Sequence, residues 1–171
     1  MKKLLLIVGL TALFCAVGAA ENLLENSDFT QLRKGKPANW SWWHQKGGNM
    51  SVTQVETDGK KAVCIENSLN GSLGQRVPVT AGKEYTVSLT GKLLGNSNAL
   101  FFIRYYDAAG KRMNQKKYVF SSRKRGSWET VSVRVVAPEN SVSMLLMIGV
   151  KGQQSAEDKM YLTDVTISGE K

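Results

Sequence analysis

At 171 residues the chain has the length of one domain, and with a single histidine it excludes every metal centre built on two or three histidines, zinc hydrolase motifs included. Its two cysteines exclude a disulfide-rich scaffold, so the fold must rest on one apolar core. Lysine and arginine outnumber aspartate and glutamate 23 to 14, giving a formal charge of +9, which selects acidic partners: anionic polysaccharide, phosphate-bearing envelope or nucleic acid.

The chain opens with Lys2 and Lys3, an apolar run from Leu4 to Val17, and the small residues Gly18-Ala19-Ala20. This reads as a secretory signal peptide over residues 1–20, too short and too weakly flanked to anchor in a membrane. No other segment is long enough to be a transmembrane helix. Secretion or periplasmic export follows, which puts nucleic acid last among the acidic partners. Cys15 offers lipid attachment as an alternative, but the bulky Phe14 before it fits a lipoprotein signal poorly. The mature chain, residues 21–171, is then one domain, expected to be a monomer. Cys64 is its only cysteine, and it sits in the apolar run Ala62-Val63-Cys64-Ile65 as a small buried strand residue.

After an opening Asn-Leu-Leu-Glu-Asn-Ser-Asp-Phe and a loop around Gly35 and Pro37, three of the four tryptophans fall in Trp40-Ser41-Trp42-Trp43-His44. Strand alternation puts Trp40, Trp42 and His44 on one face and Trp43 on the other. At least one should plug the core, and three in so short a span leave one or two as surface platforms. Met50 to Glu56 and Ala62 to Glu66 read as strands around an Asp58-Gly59 turn, Ser68 to Gly74 as a loop, and Gln75 to Val79 as a strand. Pro78 places an edge or a pairing break there. Glu84 to Leu93 alternates cleanly, with Tyr85, Val87 and Leu89 inward.

Ala99 to Asp107 is the stretch that organises the rest. Phe101, Ile103 and Tyr105 share one face; Leu100, Phe102, Arg104 and Tyr106 share the other. Burying an unpaired guanidinium is costly, so the arginine face should meet water or ligand. Aromatics flanking an arginine on an open sheet make a binding surface, unless another element covers it. Further strands follow at Met113 to Phe120, Val131 to Val135, Val142 to Ile148 and Tyr161 to Ile167, the last with Tyr161, Thr163, Val165 and Ile167 on one face. Basic clusters at Lys111 to Lys117 and Arg123 to Arg125 read either as binding loops or as solvated surface. Some ten short strands without a helical period specify an all-β sandwich or barrel.

Catalytic motifs are scarce. There is no Gly-x-Ser-x-Gly elbow and no Gly-Lys-Ser/Thr phosphate loop. Cys64 and His44 could pair formally, though neither has a nucleophile's context, and a carboxylate pair for glycoside cleavage depends on spacing in space. Asn-x-Ser sequons at Asn39, Asn49 and Asn70 matter only in a eukaryotic secretory route, while the short Met-Lys-Lys leader looks bacterial.

The opening Asn22-Leu23-Leu24-Glu25-Asn26-Ser27-Asp28-Phe29, then Pro37-Ala38-Asn39-Trp40, Gln75-Arg76-Val77 before Gly82-Lys83-Glu84-Tyr85, Tyr106-Asp107 before Gly110-Lys111, Gly126-Ser127-Trp128 before Val131, and Asp164-Val165-Thr166-Ile167 resemble, in order and spacing, carbohydrate-binding modules of families 4, 9, 16 and 22. The resemblance spans nearly the whole mature chain. It implies a galactose-binding-like jelly roll, a two-sheet antiparallel β-sandwich with ligand on a concave sheet face or in edge loops. It also implies a structural calcium near Asp164, although Thr30 stands where the family often has Glu after the opening Phe. The ligand residues expected from alternation are Trp42, Trp43, Phe102, Arg104 and Tyr106, with Gln75 as a polar contact. The leading expectation is a secreted non-catalytic protein that binds a polysaccharide or other glycan, neutral or anionic. Competing readings are a structural or protein-interaction sandwich of the envelope and a small polysaccharide lyase or hydrolase.

Overall fold

The computed structural model describes residues 21–34, 36–120 and 125–169. Residues 1–20, expected as a leader and containing Cys15, and Arg123 and Lys124 of the second basic cluster lie outside the described residues. The described residues form twelve strands and no helix. In chain order these are β1 (Leu32–Arg33), β2 (Lys36–Pro37), β3 (Ser41–His44), β4 (Ser51–Thr57), β5 (Lys60–Glu66), β6 (Asn70–Pro78), β7 (Glu84–Leu93), β8 (Asn98–Tyr106), β9 (Arg112–Phe120), β10 (Glu129–Val136), β11 (Ser143–Lys151) and β12 (Met160–Gly169). β1 and β2 pair with each other. The rest make two five-stranded antiparallel sheets, β10-β7-β12-β5-β4 and β3-β6-β11-β8-β9. The molecule is the expected all-β sandwich.

Period-two patterning builds the core. β7 contributes Tyr85, Val87 and Leu89; β8 contributes Phe101, Ile103 and Tyr105; β11 contributes Met144, Leu146 and Ile148. Each alternates with half-buried or exposed neighbours. Of the tryptophans, Trp40 is the plug. It is 7% exposed, its ring lies 4.9 Å from that of Phe29, and its indole N–H donates to the Asn26 carbonyl at 3.1 Å.

Ser68 to Gly74 and the last strand differ from the sequence reading, while Pro78 falls at an edge position as expected. Ser68 to Gly74, expected as a loop, is largely strand: β6 begins at Asn70. Its small residues serve close packing, since a Cβ on Gly71 would lie 2.3 Å from the Met50 sulfur. Pro78 ends β6, beyond the stretch Gly71–Gly74 that pairs with β3, so its missing N–H disrupts no ladder on that side. In β12 the pairing register shifts between Thr163 and Thr166, with Asp164 in the left-handed region at φ 47°. That bulge inverts the phase. Met160 and Leu162 face the core before it, Val165 and Ile167 after it, and Tyr161 is left on the outer face beside Cys64. Cys64 is 3% exposed, and burial raises its thiol pKa to about 11.

Candidate functional site

The outer face of the second sheet follows from the register. Ser41 and Trp43 of β3 lie opposite Gly74 and Ser72 of β6; these lie opposite Met147 and Gly149 of β11; Met147 and Leu145 lie opposite Phe102 and Arg104 of β8; and those lie opposite Lys117 and Gln115 of β9. Phe102, Arg104 and Tyr106 are half-buried on this face, while Phe101, Ile103 and Tyr105 are fully buried on the other. Arg104 thus lies on the open side of β8, as the cost of burying a guanidinium predicts. Inside, the Tyr105 hydroxyl has no hydrogen-bond partner among the described residues, and burial pushes its pKa up to about 12.

A groove of about 420 Å³ opens on this face. Its floor is Gly74, flanked by Leu145 and Met147; Trp43 and Trp42 wall one side and Arg104 the other. Gly74 keeps the floor low. A Cβ there would sit 3.3 Å from Met147 Cγ and 3.4 Å from Leu145 Cδ1. Trp43 is 57% exposed, a large apolar ring left in water on a short edge strand. The Nε–H of Arg104 donates to Gln115 Oε1 at 2.7 Å, which orients the guanidinium and leaves its terminal amino groups for another acceptor. No carboxylate lines the groove.

The other expected ligand residues divide. Trp42 is half-buried against the core rim, with the Lys36 ammonium 4.0 Å from its ring centroid, so one of its faces is already occupied. Tyr106 carries the Arg76 guanidinium 3.9 Å from its ring centroid, so that face is also taken. Phe102 sits beside the groove, 5.8 Å from the Arg104 guanidinium. Gln75 lies elsewhere. It is 8% exposed and turned to the core side, where its amide accepts from the Glu25 N–H at 2.8 Å and donates to the Glu25 carbonyl at 2.9 Å. That clamp ties the N-terminal segment to β6 and spends the polar atoms expected for ligand. Leu145, Met147 and Gly74 were not singled out from the sequence. The first two were legible, because the inward Met144, Leu146 and Ile148 leave their neighbours on the outer face. Gln115 and Arg76 meet Arg104 and Tyr106 only through cross-strand register.

His44 and Cys64 sit in different sheets, on β3 and β5, and form no dyad. At the expected calcium corner, Asp164 is exposed in its bulge, and the Thr30 hydroxyl bonds Asp28 at 3.0 Å. The Asn22 side chain there accepts from the Ile167 N–H and donates to the Val165 carbonyl. No group of three or more His, Cys, Asp or Glu side chains converges among the described residues. The donor set does not fit a calcium cage of several carboxylate oxygens.

Comparison with known proteins places this geometry. No curated protein matches the chain. Among solved structures, the module TmCBM61 in complex with β-1,4-galactotriose is 18% identical over 88% of this chain and 100% of its own, with a TM-score of 0.54. The enzymatically active domain of tailspike protein 4 of bacteriophage CBA120 is 14% identical over 87% of this chain, at a TM-score of 0.68, but this chain spans only 21% of its length. A cyclase from Fischerella sp. TAU is 12% identical over 89% of this chain and 98% of its own, with a TM-score of 0.65. These likenesses show the shared jelly-roll sandwich, a fold that carries both binding and catalysis. A family model described as a carbohydrate binding domain matches residues 21–156, most of the chain, and the protein belongs to that family.

Proposed function

We propose that this protein is a secreted, non-catalytic polysaccharide-binding protein that takes a glycan chain across the open face of the β3-β6-β11-β8-β9 sheet. The observation that carries the reading is the groove in which exposed Trp43 faces the oriented guanidinium of Arg104 across the bare Gly74 floor. A pyranose has an apolar C–H face and a rim of hydroxyls. The indole removes the C–H face from water, and the guanidinium and Ser41 and Ser72 meet the rim. The absence of a carboxylate from the groove lining favours holding a sugar over cleaving it. The leader at residues 1–20, with Lys2 and Lys3 before its apolar run, supports export.

One platform burying roughly 100 Å² contributes about 2.5 kcal/mol gross, and ordering costs remove part of it. Single-site binding is therefore weak and gains from repeated contacts along a polymer. The test is a glycan array run beside an assay for bond cleavage, with wild type and Trp43→Ala. Binding of a polysaccharide that Trp43→Ala abolishes, without product release, is the expected result. Turnover of any bound glycan, or glycan binding indifferent to Trp43, would refute the reading.

A further inference from the structure

A second cleft, of about 530 Å³, lies at the far corner of the same sheet. Lys117 and Val119 of β9, Asn98 and Leu100 of β8, and Lys151 at the end of β11 contribute to it, together with Arg125 from the segment before β10. Register brings them together: Lys151 lies opposite Asn98, and Leu100 opposite Val119. Arg125 is held in place, one terminal nitrogen donating to the carbonyls of Gly95 at 2.6 Å and Ser97 at 2.9 Å. Three cations therefore border one cleft, and no aspartate or glutamate lines it.

The distribution of acids sharpens this. The three ion pairs among the described residues, Lys92–Asp58, Arg134–Glu84 and Lys159–Glu66, all belong to the other sheet and its turns. There these three cations have carboxylate partners supplied by the protein itself. The outer face of β3-β6-β11-β8-β9 carries Arg76, Arg104, Lys117 and Lys151 with no acidic side chain at any outward position of its strands. Like charges gathered without counter-charge repel, and a polyanion relieves that repulsion while displacing counterions. Between the two clefts, Phe102 and Met147 provide an apolar strip. From Arg104 to Leu100 along β8 is four residues, about 13 Å at strand rise, a span of a few sugar rings.

Resting on the reading above, we propose that the Lys117–Arg125–Lys151 cleft is a second subsite that takes the anionic substituent, carboxylate or sulfate, of an acidic polysaccharide whose chain continues from the Trp43–Arg104 groove. The apolar strip and Val119, 65% exposed, accept the sugar C–H faces, and the three cations accept the charge. The ligand class is a uronate-bearing or sulfated glycan rather than a neutral one.

The experiment compares the full chain with Lys117→Gln/Lys151→Gln; Arg125 is left intact because it also braces the Gly95–Ser97 turn. Affinities are measured for a neutral galactan, a polygalacturonate, a sulfated galactan and polyglutamate, at about 0.05 M and about 0.5 M salt, where the screening length falls from about 14 Å to about 4 Å. Wild type should prefer at least one acidic glycan over the neutral one at low salt and lose the preference at high salt. The double variant should bind that acidic glycan roughly five-fold more weakly and the neutral glycan unchanged. The polygalacturonate and sulfated arms tell which substituent is held. An acidic preference retained in the variant, equal binding of polyglutamate, or a neutral-only ligand would overturn the subsite while leaving the Trp43 groove in place. Loss of every glycan would overturn both.

Discussion

The tryptophan cluster supplies the sharpest test, because three rings within four residues have different fates. Trp40→Ala removes a ring that is 7% exposed, packed on Phe29 and hydrogen-bonded to Asn26. Truncating a buried aromatic of this kind costs about 3–5 kcal/mol, a fall in melting temperature of roughly 10 °C for a domain of this size. Trp43→Ala removes a ring that is 57% exposed, so its folding cost should stay within about 1 kcal/mol. Its binding cost should be large: about 2.5 kcal/mol of apolar burial against a sugar face is up to roughly seventy-fold in affinity. Thermal melts and isothermal titration with the glycan selected by the array read both quantities. A Trp43→Ala protein that melts as low as Trp40→Ala, or binds as wild type does, would refute the assignment of the two faces of β3.

Three further outcomes are expected. Ile103→Ala, at a fully buried position, should lose about 2–5 kcal/mol, whereas Phe102→Ala on the open face should keep its denaturant midpoint and lose glycan affinity; reversed outcomes would mean that the register of β8 is shifted by one residue. The Asp158 carboxylate accepts from the N–H groups of Asn96, Gln154 and Ser155, and the first two do most to hold its pKa down to about 2. Because the folded value lies below the unfolded one, this stabilisation is complete above about pH 4 and is lost as pH falls toward 2; urea midpoints of wild type and Asp158→Asn should therefore differ at pH 7 and converge near pH 2, and a pH-independent gap would contradict the assignment. Calcium or chelator should move the melting temperature by less than about 1 °C, since only a ligand held by the folded state shifts it; a clear rise with calcium would show that the Asp164 corner coordinates the ion after all.

How much could be read without coordinates depended on whether the information was local. Alternation along β7, β8 and β11 is written into neighbouring residues, so the core faces, the solvent side of Arg104 and the placement of Trp43 on the face opposite Trp40 and Trp42 followed from side-chain period and the cost of burying charge; which of those two faces turns outward did not. The Asp58-Gly59 turn was legible too, since both residues take positive φ there, a conformation these types tolerate. The strand at Asn70 was hidden because glycine and serine signal a loop locally, while Gly71 and Gly74 make room for Met50, just before β4, and Met147 of β11. The reversal at Asp164 was hidden because a bulge inserts a residue that no alternating pattern announces.

What only the tertiary structure decided is which residues meet across strands far apart in sequence. Gln75 looks like any exposed polar residue until its amide is seen closed on Glu25, fifty positions away. Tyr106 looks like an open platform until Arg76 is stacked on it across β11. The basic residues at Lys117, Arg125 and Lys151 are scattered along the chain and become one cleft only through the β8-β9 and β8-β11 registers and the hydrogen bonds of Arg125 to the Gly95 and Ser97 carbonyls. A strand's own sequence specifies its two faces, because side-chain direction is a local property of the backbone; which partners those faces present together is set by non-local pairing, and the groove and the cationic cleft are products of that pairing.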